Sequence, residues 1–372
     1  MADTVAPKRV CIIGIGGIAR VYGAALKELA GSATLVGGCC RTEDKGRAYA
    51  EEFGCTWYSS YEEMLDTEKP DVALVTTPSG YHLEPTLACA ERKVHVLCDK
   101  PLEITAERCD TMIEACDAAG VHLGCIFQSR FTPELQPLHA AAQAGRFGPL
   151  SILSGYVPWY RDDAYYAPSR WQGTQAMDGG GACMNQAIHT IDVLIWLAGA
   201  ADGGGGEVPD VNPVAEVVAF TAQRAHSADL IEVEDTAVAS LRFRSGGLGQ
   251  ILGATSMYPG SDRLVWLAGR DGTAELRGDE ITRWEFRTPQ AEDESMTKPK
   301  VVEKVASGGA ASPFANFNTG PPRSNIQSFL ESLDASVGES TYPVGGREAK
   351  KAVQVVQAIY EAARTGKSVA IE

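Results

Sequence analysis

A glycine-rich turn between a short apolar run and a helical pattern constrains the fold more than any other feature of the chain. The run Val10–Ile13 is typical of a strand buried on both faces, and the turn follows it directly. Within the turn Gly14 permits a tight bend, Gly16 lets the backbone approach a pyrophosphate, and the small Ala19 permits close packing of helix on strand. This context favours a dinucleotide-binding turn over a plain tight turn. The cofactor-binding candidates in it are Gly14, Gly16, Gly17, Ile18 and Ala19.

Apolar runs and helical patterns go on alternating up to about Gln128. The predicted strands are Val10–Ile13, Thr34–Val36, Val72–Val75, His95–Leu97 and Val121–Phe127. The predicted helices are Val21–Ala30, Glu43–Phe53, Leu83–Arg92 and Ala106–Ala118. This alternation predicts an α/β domain with a doubly wound parallel sheet over residues 1–128.

Beyond Gln128 the pattern changes, which predicts a second domain over residues 129–372. The helical patterns are Pro133–Ala144, Ala182–Leu197, Ser324–Ala335 and Gly346–Thr365. The strand-like runs are Leu150–Tyr156, Ala215–Ala222, Asp235–Phe243, Leu248–Ala254, Arg263–Gly269 and Gly272–Leu276. Consecutive strands joined by short turns predict an open, mainly antiparallel sheet. We interpret Gly203–Gly206 as a hinge and the polar stretch Thr288–Pro321 as a long loop.

Composition excludes several classes of partner. The 33 Lys and Arg residues against 48 Asp and Glu leave a net charge of −15, which repels nucleic acid and anionic membranes. No apolar stretch approaches the roughly 20 residues of a membrane helix, and the first residues lack a secretory pattern, so we expect a cytoplasmic protein. The ten cysteines show no C-x-x-C pair and no zinc-ligand spacing. We therefore interpret them as reduced core thiols and predict no metal site.

The tip of the second predicted strand bears on the choice of cofactor. NAD-binding domains of this kind place an acidic residue there to bind the ribose 2′-hydroxyl. This chain has Cys39 and Cys40 at that point, followed by Arg41. Because a guanidinium can pair with a 2′-phosphate, the sequence favours NADP over NAD. In the alternative, Arg41 stacks on the adenine or points into water.

A second candidate follows the fourth strand, where the chain reads Asp99-Lys100-Pro101. Ligands of an open parallel sheet bind at the carboxyl ends of its strands, so Lys100 is directed at the expected crevice. A desolvated lysine beside an alcohol can exchange the alcohol proton. The alternative is an ordinary solvated lysine at a strand end.

A third candidate is a polar stripe on the apolar helix that follows Gly179-Gly-Gly181. Asn185, His189 and Asp192 stand at i, i+4 and i+7, which places them on one helix face. In one arrangement Asp192 fixes the orientation of His189, while Asn185 and His189 bind a substrate hydroxyl. In the other, the three groups satisfy one another and nearby backbone inside the core.

Aromatic and charged residues alternate just before that helix. The candidates for substrate contact there are Tyr160, Arg161, Tyr166 and Trp171, together with Asn185 and Asp192 on the helix. Aromatic faces stack on the apolar faces of sugars, and charged groups bind hydroxyls or a carboxylate, which favours a carbohydrate substrate. The same aromatic residues could equally pack the domain or an oligomer interface.

Taken together, these motifs resemble the Gfo/Idh/MocA oxidoreductases, the glucose–fructose oxidoreductase and inositol dehydrogenase family, over essentially the whole chain. Asp99-Lys100-Pro101 is similar to the Glu-Lys-Pro signature of that family, and Asn185, His189 and Asp192 are similar to its D-x-x-x-H-x-x-D helix. Thr77, Pro78 and His82 resemble its third-strand loop beside the nicotinamide. Asn185 stands where many members have Asp, which weakens an inositol dehydrogenase reading.

The resemblance implies a Rossmann domain followed by an α/β domain with a large open sheet that commonly mediates homodimers or homotetramers. Lys100 would be the catalytic acid/base, His189 its partner at the substrate hydroxyl, and Asn185 an orienting group because an amide cannot accept the proton. Thr77, Pro78, His82, Asp99, Lys100 and Gln128 would contact the cofactor.

The implied reaction is NAD(P)-dependent hydride transfer to or from a secondary hydroxyl or ketone of a sugar, sugar acid, nucleotide sugar or polyol. One alternative is a hydrolase or lyase that uses tightly held NAD for transient oxidation. The other is a sensor without catalysis, which the presence of Lys100 and His189 disfavours.

Overall fold

The computed structural model describes residues 6–167, 170–201, 211–297 and 318–372. The predicted hinge at 203–206 and most of the predicted loop at 288–321 lie outside these ranges. By its contacts the chain divides into two units. The first comprises the described residues of 1–128 and 317–350, and the second those of 129–316 and 351–372.

The first unit has a parallel sheet of six strands in the order β3-β2-β1-β4-β5-β6. The strands are β1 Lys8–Ile13, β2 Ala33–Cys39, β3 Thr56–Tyr58, β4 Val72–Val75, β5 His95–Cys98 and β6 Leu123–Cys125. The helices between them are α1 Gly17–Glu28, α2 Glu43–Phe53, α3 Tyr61–Glu68, α4 Leu83–Glu91 and α5 Ala106–Ala119. The strand order reverses between β1 and β4, which is where an open sheet of this type binds its ligand.

The predicted domain boundary needs one correction. The division does fall after Gln128, but the described residues of 317–350 belong to the first unit instead of the second. Helix α10, which begins at Gly320, packs on α1, where Arg323 pairs with Glu28 at 2.6 Å. The Tyr342 hydroxyl donates to the Cys125 carbonyl at 2.8 Å. These contacts join residues far apart in sequence, so local periodicity carries no sign of them.

The second unit contains a sheet of eight strands in the order β13-β12-β11-β7-β10-β9-β8-β14. Every pairing is antiparallel except that of β7 with β10. Its strands are β7 Leu150–Pro158, β8 Val214–Ala222, β9 Thr236–Phe243, β10 Leu248–Ala254, β11 Leu264–Gly269, β12 Gly272–Arg277, β13 Glu280–Phe286 and β14 Val369–Ala370. The helices after β6 are α6 Leu135–Gln143, α7 Gln175–Asp178, α8 Ile188–Ala201, α9 Asp293–Met296, α10 Gly320–Ser332 and α11 Gly346–Thr365.

One face of this sheet packs on α8 and the other carries exposed apolar side chains. Val217, Ala219, Ala239 and Ile251 are buried, whereas the alternating positions Val218 and Phe220 on β8 and Val238 on β9 are exposed. No helix in the described part of the chain is long and apolar enough to cross a membrane.

Candidate active site

The glycine turn after β1 is fixed to the neighbouring strands through its backbone. Gly14 has φ +102°, and its N–H donates to the Cys39 carbonyl of β2 at 2.9 Å. Its carbonyl accepts from the Thr76 hydroxyl at 2.6 Å. A Cβ added at Gly14 would lie 2.6 Å from the Thr77 nitrogen. Glycine is therefore required here both for its backbone conformation and for the close approach of β4.

Two residues further on, the turn opens. A Cβ added at Gly16 would meet nothing within 4 Å, and Gly16 at the N-cap of α1 offers no capping side chain. Gly17 is exposed, Ile18 is half-buried and Ala19 is fully buried. The free N–H groups and the positive end of the helix dipole suit a pyrophosphate in this space. The turn therefore fits a dinucleotide by its own geometry.

Arg41 lies just beyond the tip of β2. It is exposed, and no ion pair of its guanidinium occurs within the described ranges. The neighbouring Cys39 thiol is buried, which raises its pKa to about 12.

Asp99 and Lys100 follow β5 directly, and the Lys100–Pro101 peptide is cis. The Tyr22 hydroxyl, on α1, donates to the Asp99 carboxylate at 2.6 Å. Burial, together with the neighbouring Asp99, raises the pKa of Tyr22 well above its ordinary value. Tyr22 thus ties the end of β5 to the helix that begins at the glycine turn. Lys100 itself is half-buried.

His82 lies in the interior instead of facing a ligand. It is 1% exposed, with Nδ1 at 2.9 Å from the Pro101 carbonyl and Nε2 at 2.9 Å from the Thr77 carbonyl. The ring thereby joins the loop after β4 to the segment after Lys100. Thr77 and Pro78 are half-buried, and the buried Oε1 atom of Gln128 accepts no hydrogen bond from the described residues.

The polar stripe of the second unit lies on a helix that begins with a π-helical turn. Residues Ala182–Ala187 form this turn and α8 continues from Ile188. The predicted helix is therefore present, with a wider first turn than its periodicity indicates. Asn185 is 8% exposed, and His189 is half-buried among buried neighbours. Such turns occur frequently at functional sites.

Asn185 stands at the centre of a buried hydrogen-bond network. Its amide nitrogen donates to the Asp178 carboxylate at 2.6 Å. Its oxygen accepts from the Tyr165 hydroxyl at 3.2 Å and from the Gln186 amide at 2.7 Å. Gln186 in turn accepts from Arg161 at 2.9 Å. Burial raises the pKa of Tyr165 to about 12. The amide orientation of Asn185 is thus fixed from both ends.

Asp192 is bound by a buried arginine. It is fully buried, and its two oxygens accept from Arg130 at 2.9 and 2.6 Å. Arg130 is also buried and lies over the Trp196 ring. Asp192 is therefore the partner of Arg130 in a bidentate ion pair, which replaces its predicted substrate contact.

The aromatic and charged residues that alternate before the glycines divide into a buried group and a half-buried group. Tyr166 is buried in a small cluster with Ile231 and Val233, and its hydroxyl donates to Thr255 at 2.9 Å. This packing replaces the predicted substrate contact of Tyr166. Tyr160, Arg161 and Trp171 are half-buried, as is Tyr165. The Arg161 guanidinium lies 5.5 Å from the centre of the Tyr165 ring.

The glycines before the π-helical turn are packed against two distant residues, Glu234 and Tyr360. A Cβ added at Gly180 would collide with the Tyr360 hydroxyl, and one at Gly181 with the Glu234 carbonyl. Burial raises the pKa of Glu234 to about 7, although hydrogen bonds from Cys183, Gly181 and Tyr360 oppose this rise.

Sequence reasoning missed several of these residues. Asp178 precedes the three glycines directly and Gln186 follows Asn185, so each was a polar signal beside a motif already recognised. Arg130, Glu234 and Tyr360 carry no such local signal, because their partners are 51 to 179 residues away. Within the part of the chain that the structure describes, no three or more His, Cys, Asp or Glu side chains form a group that could hold a metal ion.

Comparison with known proteins places this geometry in a family. The model of an oxidoreductase family with an NAD-binding Rossmann fold, Gfo/Idh/MocA, matches residues 8–127, and the model of the Gfo/Idh/MocA C-terminal domain matches residues 135–275. The WlbA dehydrogenase of Bordetella pertussis, solved in complex with NADH and UDP-GlcNAcA, is 30% identical. It superposes with a TM-score of 0.85 over 99% of this chain and 99% of that one.

Two sequence relatives extend the comparison. Myo-inositol 2-dehydrogenase of Thermotoga maritima is 28% identical over 269 residues, which are 71% of this chain and 73% of the relative. D-xylose 1-dehydrogenase (NADP(+)) 2 of Haloferax volcanii is 34% identical over 167 residues, which are 44% of this chain and 49% of the relative.

Proposed function

The chain belongs to the Gfo/Idh/MocA oxidoreductase family, and on this premise we propose that it transfers a hydride between a nicotinamide cofactor and a secondary hydroxyl or ketone group of a carbohydrate. The substrate classes are a sugar, sugar acid, nucleotide sugar or polyol. The observation that carries the proposal is the glycine turn, closed at Gly14 and open at Gly16, in a sheet whose strand β5 is followed directly by Asp99 and Lys100.

The cofactor-binding residues are those of the first unit. The N–H groups at Gly16, Gly17 and Ile18 bind the pyrophosphate at the start of α1, and Gln128 offers a buried oxygen to a donor. Arg41 pairs with a 2′-phosphate, which makes NADP the preferred cofactor. One relative is named for NADP(+) and another was solved with NADH, so both cofactors occur among similar proteins.

Lys100 is the proton-transferring group in this proposal. A bound nicotinamide would supply or take up the hydride, and Lys100 would take or return the proton of the reacting hydroxyl through its Nζ atom. Tyr22 holds the side chain of Asp99 just before Lys100, and His82 holds the Pro101 carbonyl just after it. These three residues position Lys100.

The substrate-binding residues are those of the second unit. Asn185, held by Asp178, orients the substrate, while the half-buried His189 donates or accepts a hydrogen bond at a substrate hydroxyl. Tyr160, Tyr165 and Trp171 offer ring faces to a sugar. The relatives named above are dehydrogenases of an inositol and a pentose, and the solved one was crystallised with a nucleotide sugar.

Replacement of Lys100 tests the proposal. The purified protein is assayed with NAD and NADP against a panel of sugars, uronic acids, nucleotide sugars and polyols. For Lys100→Met we expect kcat to fall about 10²- to 10⁴-fold on every accepted substrate, with cofactor affinity within about threefold of the parent. Lys367→Met, an exposed lysine in the second unit, is the control.

Two outcomes would overturn this assignment. Full activity of Lys100→Met would exclude Lys100 as the acid/base. Turnover without added nicotinamide, by protein that retains its cofactor through purification, would indicate the hydrolase or lyase alternative.

We also infer a homo-oligomer formed through the exposed sheet face of the second unit. Phe220, Val238, Leu252, Tyr156 and Leu264 are register partners across β8, β9, β10, β7 and β11. Phe220 is 77% and Val238 47% exposed, so this ladder forms an apolar stripe. Phe220→Glu is expected to reduce the assembly measured by light scattering, whereas Ser245→Glu, in the turn between β9 and β10, leaves it unchanged. An unaltered Phe220→Glu assembly would exclude this face.

A further inference from the structure

The π-helical turn that carries Asn185 begins without a capping side chain of its own. Its N-cap residue is Gly181, preceded by two further glycines. The first four N–H groups of a helix have no acceptor within the helix and are costly to bury unpaired. Residues 181–184 are all buried. Their N–H groups therefore require acceptors from elsewhere in the second unit.

Two residues supply all of these acceptors. Glu234 accepts from the Gly181 N–H through Oε2 at 2.9 Å, from the Cys183 N–H through Oε1 at 2.8 Å, and from the Ala182 N–H through its carbonyl at 3.0 Å. The Tyr360 hydroxyl accepts from the Met184 N–H at 3.3 Å and donates to Glu234 Oε1 at 3.0 Å. Glu234 and Tyr360 together form a tertiary cap of this helix. Glu234 comes from the segment before β9 and Tyr360 from α11.

We propose that this tertiary cap positions Asn185 and His189, so that Glu234 and Tyr360 are positioning residues for the reaction. The proposal rests on the proposed function, because it assigns a task to residues that do not reach the substrate. The Asn185 N–H donates to the Gly181 carbonyl at 2.9 Å, so Asn185 follows the capped residues by one turn. A shift of the cap moves Asn185 with it.

The glycines before the π-helical turn lie so close to the cap residues that the helix start has little room to shift. A side chain at Gly180 or Gly181 would collide with Tyr360 or Glu234, so the helix start lies in direct contact with its cap. Asp178, which holds the Asn185 amide, ends α7 immediately before these glycines. A rotation of the helix start would therefore also change the distance between Asp178 and Asn185.

The cap depends on the charge state of Glu234. An ionised carboxylate only accepts, whereas a protonated one carries a hydrogen that faces the Gly181, Cys183 or Tyr360 donors. Burial raises the pKa of Glu234 to about 7, so the carboxyl group changes between its protonated and ionised forms near neutral pH. The titratable groups that face it are Tyr360 from α11 and the Cys183 thiol from the π-helical turn. Its chain neighbour Asp235 binds the 224–226 backbone and His226.

The first test needs no turnover. Amide hydrogen exchange of peptides covering residues 181–189 is compared in the parent protein, Glu234→Gln and Tyr360→Phe, with Glu361→Gln as the control. Glu361 neighbours Tyr360 on α11 but is exposed. We expect exchange to be about tenfold faster than in the parent in the two cap variants, and to be unchanged in the control. Because Tyr360→Phe keeps the ring and removes only the hydroxyl, it serves if Glu234→Gln does not fold.

The second test separates positioning from plain stability. Glutamine resembles protonated glutamate, so the parent and Glu234→Gln are expected to have similar kcat at about pH 5.5. At about pH 8.5 the parent is expected to be about tenfold faster or more, as a misplaced catalytic group costs up to about a hundredfold. The KM for the cofactor, which binds the first unit, stays within about twofold.

The outcomes distinguish this inference from the proposed function. Unchanged exchange at residues 181–189, or a kcat ratio that does not vary with pH, overturns the cap as a positioning device while leaving the Lys100 result intact. Loss of the Lys100 effect overturns the proposed function, and the exchange measurement still decides whether Glu234 and Tyr360 hold the helix start.

Discussion

Among the helices that begin at glycines, α1 and the helix that starts with the π-helical turn complete their first turns in opposite ways. At α1 the space beside Gly16 is open to 4 Å and Gly16 offers no capping side chain. At the π-helical turn the space beside Gly181 is filled, and Glu234 and Tyr360 bind the first N–H groups. An open start is available to an anionic ligand, whereas a closed start fixes the side chains that follow it. Glycines alone do not distinguish the two; the residues that face them do.

The two starts also differ in what supports them. Gly14 is held through its own backbone, by the Cys39 carbonyl of β2 and by the hydroxyl of Thr76, which follows β4. The helix of the second unit is held by buried charged or ionisable side chains, Glu234 at its start and Asp192 with Arg130 further along. Both starts should therefore be sensitive to added volume, and the second start to charge as well.

The largest effect is expected from breaking the buried ion pair. Arg130→Met leaves the Asp192 carboxylate fully buried without its bidentate donor, which we expect to cost about 3–5 kcal/mol of unfolding free energy. The double variant Arg130→Met/Asp192→Leu should recover most of this loss, since no charge is left unpaired. Denaturant unfolding of the two variants measures both values.

A surface ion pair provides the control for that experiment. Arg277→Met removes the exposed contact with Glu275 and should change stability by less than about 1 kcal/mol. A loss in Arg130→Met as small as that of the control would show that the second helix does not depend on buried charge.

The pH dependence of stability tests the charge at the closed start. The hydrogen bonds of the cap favour the ionised carboxylate, but burial outweighs them and raises the pKa of Glu234 in the fold from 4.5 to about 7. The contribution of Glu234 to the stability of the whole fold is therefore complete below about pH 4.5 and is lost as the pH rises through 7. Relative to Glu234→Gln, the parent should lose about 3 kcal/mol between about pH 4 and pH 8. Parallel stability curves for the two proteins would contradict this sign.

Alanine at three glycines separates the open position at Gly16 from the packed positions at Gly14 and Gly181. Gly14→Ala combines φ +102° with a Cβ only 2.6 Å from the Thr77 nitrogen, and we expect a loss of about 1–3 kcal/mol. Gly181→Ala should lose a similar amount through its collision with Glu234. Gly16→Ala should leave stability within about 1 kcal/mol yet weaken cofactor binding at least about tenfold. Unfolding curves and nicotinamide fluorescence titrations measure these effects; destabilised Gly16→Ala would remove the distinction.

The contrast between the two helix starts also explains which features could be predicted from the sequence. Helix α2 and strand β4 have their predicted bounds, and α11 spans its predicted range, because hydrophobic periodicity is local. Strand β3, only three residues long, and strand β13, mostly exposed, gave no period to detect. The glycine turn was visible because its determinants are contiguous. The cap was not, because Glu234 and Tyr360 are 53 and 179 residues from Gly181.

The smallest effect is expected from Arg41, the proposed contact of the cofactor 2′-phosphate. Arg41 is exposed beyond β2, so Arg41→Ser removes a partner of a 2′-phosphate without disturbing packing. We expect the ratio of kcat/KM for NADP to that for NAD to fall about tenfold, which corresponds to about 1.4 kcal/mol. Arg47→Ser is the matched control, since Arg47 already pairs with Glu43 on α2 and lies over Trp57. If Arg41→Ser keeps the parental ratio, Arg41 does not read the phosphate, and the open start alone determines how the dinucleotide binds.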